Sequence, residues 1–260
     1  MDRPLHPPLA LPQVTLCAVS SVNVTATLRA LEASLAQIDV AACKFFTDAQ
    51  LPDGYHPAIT IVPIAPIRSS QAYSDFLLSQ MVDHVDTTHC LIAQWDGHVL
   101  DAARWRADFL NYDYIGASWP QFDDNHDVGN GGFSLRSRRL MEACRHSAFR
   151  PGHPEDVAIG RINREWLESL GMRFAPRELA DIFSAERAGD VSCSFGYHGA
   201  WLMPQALGVA DFWDIYRDLD DRGTIRHDLF LILKQISSGR GWMTRALRLL
   251  LDQISPREGR

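Results

Sequence analysis

The chain has 260 residues, 46% of them hydrophobic and 22% charged, which is ample core material for one large domain or two small ones and reads as soluble and globular. Its formal net charge of −7 argues against wholesale nucleic-acid binding, which needs a concentrated basic surface. Five scattered cysteines (17, 43, 90, 144, 193) without a C-x-x-C support neither a disulfide framework nor a zinc cage, and predict reduced, buried thiols of a cytoplasmic protein.

In chain order, "MDRPLHPPLALPQ" carries several prolines and no continuous apolar run. Residues 1–12 are therefore expected as a short extended leader rather than a signal peptide. "VTLCAVSS" (14–21) predicts a buried parallel strand, and "NVTATLRALEASLAQI" (23–38) a helix with Leu28, Leu31, Leu35 and Ile38 on one stripe, started by Asn23 or Thr25. Strands follow at 42–48 and 58–64, a second helix at 69–85, and a fourth strand at 88–95. Such an α/β opening predicts a mostly parallel sheet whose ligands gather at the carboxyl ends of its strands. Ser20, Ser21, Asp48 and Asp96 stand at three of those ends. Beyond them, 99–110 reads as a helix, 112–118 as a strand, 119–132 as a polar loop and 133–137 as a short strand before a helix near 138–146. "HPEDVAIGRINREWLESLGM" (153–172) begins as a loop and becomes a helix, and "VSCSFGYHG" (191–199) predicts a last strand ending at His198. From Pro204 the pattern is helical and amphipathic, and no run approaches 18 apolar residues. The expected organisation is one domain over 13–203 with a helical appendage, 204–260, packed on it.

Four stretches can carry chemistry. "LIAQWDGHVLD" (91–101) reads either as an Asp-Gly hairpin turn or as a site in which Asp96 and His98 share one divalent ion. The continuously apolar run before it and the helical pattern after it favour the site. In "GNGGFSLRSR" (129–138) the glycines around Asn130 suit either a tight turn or close backbone approach to a ligand. Glu155 and Asp156 in "HPEDVAIG" either favour a helix N-terminus by charge or offer a carboxylate that deprotonates a substrate hydroxyl. His198 in "SFGYHG" is by itself either a structural histidine or a metal ligand.

The order of these parts resembles the glycosyltransferases of the GT-A fold. More narrowly, "VTLCAVSS", "FFTD", "LIAQWDGHVL", "YDYIGASW", "GNGGFSLRSRRLM", "PEDVAIG" and "FGYHG" resemble a poorly characterised microbial glycosyltransferase-like family, over residues 13 to 202. The resemblance implies a Rossmann-like, mostly parallel sheet with flanking helices. It also implies an enzyme that moves a sugar from a nucleotide-diphosphate donor to a hydroxyl of a saccharide, lipid-linked or protein acceptor, with inversion, in cell-surface polysaccharide or glycoconjugate synthesis. On this likeness Asp96, His98 and His198 would hold Mn²⁺ or Mg²⁺ at the diphosphate. Ser20, Ser21 and Asp48 would contact the nucleoside, and Gly131, Gly132 and Phe133 would border the sugar and acceptor. Asp156, paired with Glu155, would be the general base. His98 departs from the pattern, since many metal-dependent members carry a second aspartate there. The competing readings are a metal-dependent hydrolase of a phosphoester or glycoside, and an inert sugar-nucleotide-binding module.

From Arg222 to Arg260 there are eight Arg or Lys against three acids, a net of +5. "GWMTRALRLLLDQI" sets Trp242, Met243, Leu247, Leu250 and Leu251 beside Arg245 and Arg248. This segment is either an amphipathic helix packed on the domain or a peripheral attachment to the anionic inner face of a membrane.

Overall fold

The computed structural model describes residues 7–52, 54–237 and 239–254. Residues 1–6 of the expected leader, and 255–260 of the expected appendage, lie outside the described residues. In the first half the chain runs β1 (Leu9–Val19), α1 (Val24–Leu35), β2 (Ile38–Thr47), β3 (Ile59–Pro63), α2 (Ser70–Ser79), β4 (His89–Ala93), β5 (Gly97–Val99), β6 (Tyr114–Ile115) and β7 (Phe133–Ser137). It continues through α3 (Arg138–Ala143), α4 (Glu155–Val157), α5 (Arg164–Ser169), α6 (Arg177–Phe183), β8 (Ser184–Ala185) and β9 (Gly196–His198). Helices α7 (Met203–Leu207), α8 (Val209–Arg217), α9 (Leu229–Ile236) and α10 (Trp242–Ile254) follow.

The six-stranded sheet has the order β3-β2-β1-β4-β7-β6. β1 is parallel to β2 and β4, and β2 to β3, while β7 runs antiparallel to both β4 and β6. The fold is therefore α/β with a mostly parallel central sheet and flanking helices. β1 and β4 are buried along their apolar runs, as strands covered on both faces must be. β1 starts at Leu9, so the last residues of the expected leader are sheet.

A second sheet, β5-β9-β8, corrects the expected helix over 99–110. Gly97–Val99 pairs with β9 instead, and the Leu100 amide donates to the Phe195 carbonyl at 2.8 Å. Only short 3₁₀ turns follow, at Ala102–Arg104 and Ala107–Asn111, because Trp105 packs edge-on against both Phe109 and Phe195. The expected helix over 153–172 is also broken, into α4, a π turn at Ala158–Ile162, and α5. Asn163 stops the first part by donating its side-chain amide to the Ala158 and Arg150 carbonyls. Of the expected strand over 191–199 only Gly196–His198 forms.

Asn23 occupies the position before α1 with φ 56°, yet its side chain does not cap that helix. It donates to Thr224 and accepts from the Asp221 amide, and the first amide of α1, at Val24, is taken by Asp220 at 3.0 Å. The loop after α8 thus caps α1 from about 200 residues away in sequence. Cys17, Cys43, Cys90 and Cys144 are buried thiols, whereas Cys193, in the turn before β9, is exposed. Among the described residues no helix is long and apolar enough to cross a membrane.

Candidate active site

The small sheet sets one row of side chains. β8 and β9 are parallel, with Ala185 opposite Tyr197, so the next residues, Glu186 and His198, fall side by side. β5 is antiparallel to β9, with Gly97 opposite His198, and the Gly199 amide donates to the Asp96 carbonyl at 3.0 Å. Asp96 therefore reaches His198 from the other flank. Its Oδ1 lies 3.4 Å from His198 Nε2, and Glu186 Oε2 lies 3.3 Å from Nδ1. Burial alone would lower the pKa of this imidazole, but the two carboxylates raise it well above its ordinary value. Gln94 accepts from His198 Nε2 at 3.2 Å and donates to the Tyr73 hydroxyl at 2.9 Å.

His98 does not join this row. It pairs with Tyr197, one residue further along the ladder, and paired residues share a face while their neighbours take the other. His98 therefore lies across the ladder from His198, edge-on to Tyr197, with Nδ1 donating to the Val99 carbonyl at 2.8 Å. Burial lowers its pKa. Asp-x-His would share a face in a regular strand, but Asp96 stands in the turn before β5 and escapes the alternation. The expected ligand set of Asp96, His98 and His198 is thus not assembled. Asp96 and Glu186 address different nitrogens of one ring, which stands between them, and among the described residues no three His, Cys, Asp or Glu side chains are grouped to hold a metal ion. The residues present do not fit the expected three-ligand metal set.

Gly131 and Gly132 join His198 to the acid pair. A Cβ on Gly132 would stand 2.1 Å from His198 Nε2, and one on Gly131 would stand 2.3 Å from Glu155 Oε1. Neither position leaves room for a side chain. The left-handed φ of this loop belongs to Asn130, at 51°, whose side chain accepts from Trp119 Nε1 and donates to the Ser118 carbonyl.

The two acids have separate fates. Glu155 is buried, bonded to Arg136 Nη2 at 2.8 Å and accepting from Ser74 at 3.3 Å. Both oxygens of Glu155, expected to pair with Asp156 in the chemistry, are thus engaged within the protein. Asp156 is half-buried and accepts from the Gly131 amide at 3.2 Å and from its neighbour Val157. Burial, reinforced by the charge of Glu155, pushes its pKa up to about 6. Phe133, expected to border a sugar, is instead wholly buried and stacked on Phe183 with ring centroids 5.3 Å apart. It faces the core because side chains alternate along β7, which puts Gly132, Ser134 and Arg136 on the opposite face.

Ser20, Ser21 and Asp48 follow the carboxyl ends of β1 and β2. They share an edge with Asp96, since these strands are parallel to β4. Ser21 accepts from the Ile67 amide at 2.8 Å, Ser20 bonds within its own loop to the Val22 carbonyl, and Asp48 is exposed. A cavity of about 560 Å³ lined by His89, Tyr112, Ser137 and Arg139 lies at the opposite edge, where β4 begins.

Arg136, Glu186, Gln94 and Tyr73 were missed in the sequence. Arg136 left a signal, because an arginine inside the apolar strand "FSLRS" demands a buried acid. Glu186 left none, since only the β8–β9 register brings it to His198.

Fold and site together define an α/β protein with an acid–histidine cluster at the carboxyl edge of a mostly parallel sheet. Residues 58–198 match the model of the family described as "Protein of unknown function (DUF5672)", and the chain belongs to that family. The matched segment runs from β3 to His198 and so contains the whole cluster, while Ser20, Ser21, Asp48 and the C-terminal helices lie outside it. No curated protein matches the chain. Among solved structures, it is similar to the mannosyltransferase PcManGT from Pyrobaculum calidifontis in complex with GDP-Man and Mn²⁺, at 14% identity and a TM-score of 0.45, over 92% of this chain and 69% of that one.

Proposed function

We propose that the chain is a glycosyltransferase that moves a sugar from a nucleotide diphosphate to an acceptor hydroxyl with inversion. The observation that carries this reading is Asp156, a half-buried carboxylate raised to about 6 and held against the Gly131 amide. A general base is most effective when its pKa lies near the working pH. Asp156 takes the proton of the acceptor hydroxyl as that oxygen bonds to the anomeric carbon. The bond from that carbon to the diphosphate breaks on the opposite face, and the departing nucleoside diphosphate keeps the electron pair. Glu155 and Arg136 hold the acid loop in place, and the Gly131–Gly132 backbone spaces Asp156 from His198. Ser20, Ser21 and Asp48, on the same edge, are the side of the site assigned to the nucleoside. No step is assigned to a cation.

The engagement of Glu155 by Arg136 removes support from glycoside hydrolysis, which needs two carboxyl groups facing one bond. An inert binding module gives no reason to retain an acid that opposes folding at neutral pH.

The test is a thermal-shift panel of uridine and guanosine diphospho-sugars, followed by assay of nucleoside diphosphate release with candidate acceptors. One sugar nucleotide should stabilise both the wild type and Asp156→Asn, and only the wild type should turn over. Absence of stabilisation by any sugar nucleotide, or full turnover by Asp156→Asn, would overturn the reading.

A further inference from the structure

Helix α10 is turned inside out for a helix packed on a domain. Met243, Leu247, Leu250 and Ile254 recur at i, i+4, i+7 and i+11, a single stripe, and are 68%, 59%, 40% and 78% exposed. The side facing the protein is largely polar. Leu249 is buried, but Asp252 accepts from the Tyr216 hydroxyl at 2.9 Å and Gln253 donates to the Arg222 carbonyl at 2.8 Å. On α9, Phe230 is 83% exposed, one turn before the exposed Lys234. Contiguous apolar surface of this kind marks an interaction site.

A second copy is disfavoured by charge. A two-fold interface sets the same patch against itself, which would bring together two segments that each carry +5 from Arg222 onward. The same charge suits an anionic lipid surface, in a chain whose net charge is −7. Exposed Trp242, at the start of the helix, is a residue type that favours the lipid headgroup level.

We propose that the outward face of α10 lies in the headgroup layer of an anionic membrane, with Met243, Leu247, Leu250 and Ile254 inserted and Arg240 and Lys234 against the lipid phosphates. Apolar burial and electrostatic attraction together give such a helix its affinity. The proposal is independent of the chemistry assigned to Asp156.

It is tested by flotation of the full chain with vesicles of equal parts phosphatidylcholine and phosphatidylglycerol, against pure phosphatidylcholine. The protein should float with the anionic vesicles only, and high salt should release it. Leu247→Ser and Ile254→Ser should each lower the bound-to-free ratio about tenfold, and Arg240→Gln about fivefold. Because these side chains are exposed, the melting temperature should not move. Failure of the full chain to bind anionic vesicles, or binding unaffected by Leu247→Ser and Ile254→Ser, would overturn the proposal. So would a dimer by light scattering that Leu247→Ser dissociates.

Discussion

A carboxylate buried beside a second carboxylate opposes folding while it is ionised, and Asp156 stands in that position beside Glu155. Its folded pKa, about 6, lies above the ordinary 3.8. The stability it contributes is therefore full below the ordinary value and lost as pH rises through about 6. Activity has the opposite sign, because only the carboxylate accepts a proton, so kcat/KM should fall as pH drops below about 6. Asp156→Asn should lower turnover by ~10²–10⁴-fold. It should also raise stability at pH 8 by about 1–2 kcal/mol in urea unfolding, the relief of charge being offset by one amide that a single oxygen leaves unpaired. Glu155 predicts the reverse. Glu155→Ala leaves the Arg136 guanidinium buried without its acid and should cost about 3–5 kcal/mol. Replacing both by apolar residues of similar size should cost less than Glu155→Ala alone, which a double-mutant cycle in urea would measure.

Short strands decide how these side chains meet. The three-residue β5 and β9 and the two-residue β8 have little pairing of their own, yet their register sets Asp96, His198 and Glu186 in one row. Gly132, at the entrance to β7, leaves room for the imidazole. Gly132→Ala should therefore displace His198 and lower kcat/KM, whereas Gly152→Ala, whose new Cβ would meet the Ala158 Cβ at 4.0 Å, should change neither activity nor melting. The long elements were legible in the sequence because their apolar residues repeat cleanly. α1, β2, β3 and β4 form where the pattern puts them, to within a few residues. The segment after Asp96 misled because "VLDAARWRADFL" has helical spacing, but its large rings are used for aromatic packing against Phe195 and its first residues for pairing with β9.

At the scale of the whole molecule, the C-terminal helices support the site from behind. Met203, Phe212, Tyr216, Ile225, Ile232, Ile236 and Leu249 share one buried cluster with Ala26 of α1, Ala185 of β8 and Tyr197 of β9. Tyr197 is the residue next to His198. Truncation after Leu202 should therefore expose that cluster, abolish the cooperative thermal transition and remove sugar-nucleotide binding, as read by calorimetry. If the truncated chain melts cooperatively and still binds, the C-terminal helices are dispensable to the site.

By itself the sequence determined the α/β class, the parallel opening and most of the acids and glycines that meet at the carboxyl edge. Those features follow from apolar periodicity and from polar residues placed at strand ends, which are local properties. Only the tertiary structure decided that His98 faces away, that Glu186 stands in its place beside His198, and that Glu155 is bound to Arg136. It alone showed that Phe133 is core and that α10 turns its apolar stripe outward. Each of these depends on strand register, or on which face of an element meets its neighbour. In "LIAQWDGHVLD" the turn before Gly97 frees Asp96 from alternation with His98, and a pairing formed about 100 residues later in the chain gives it His198.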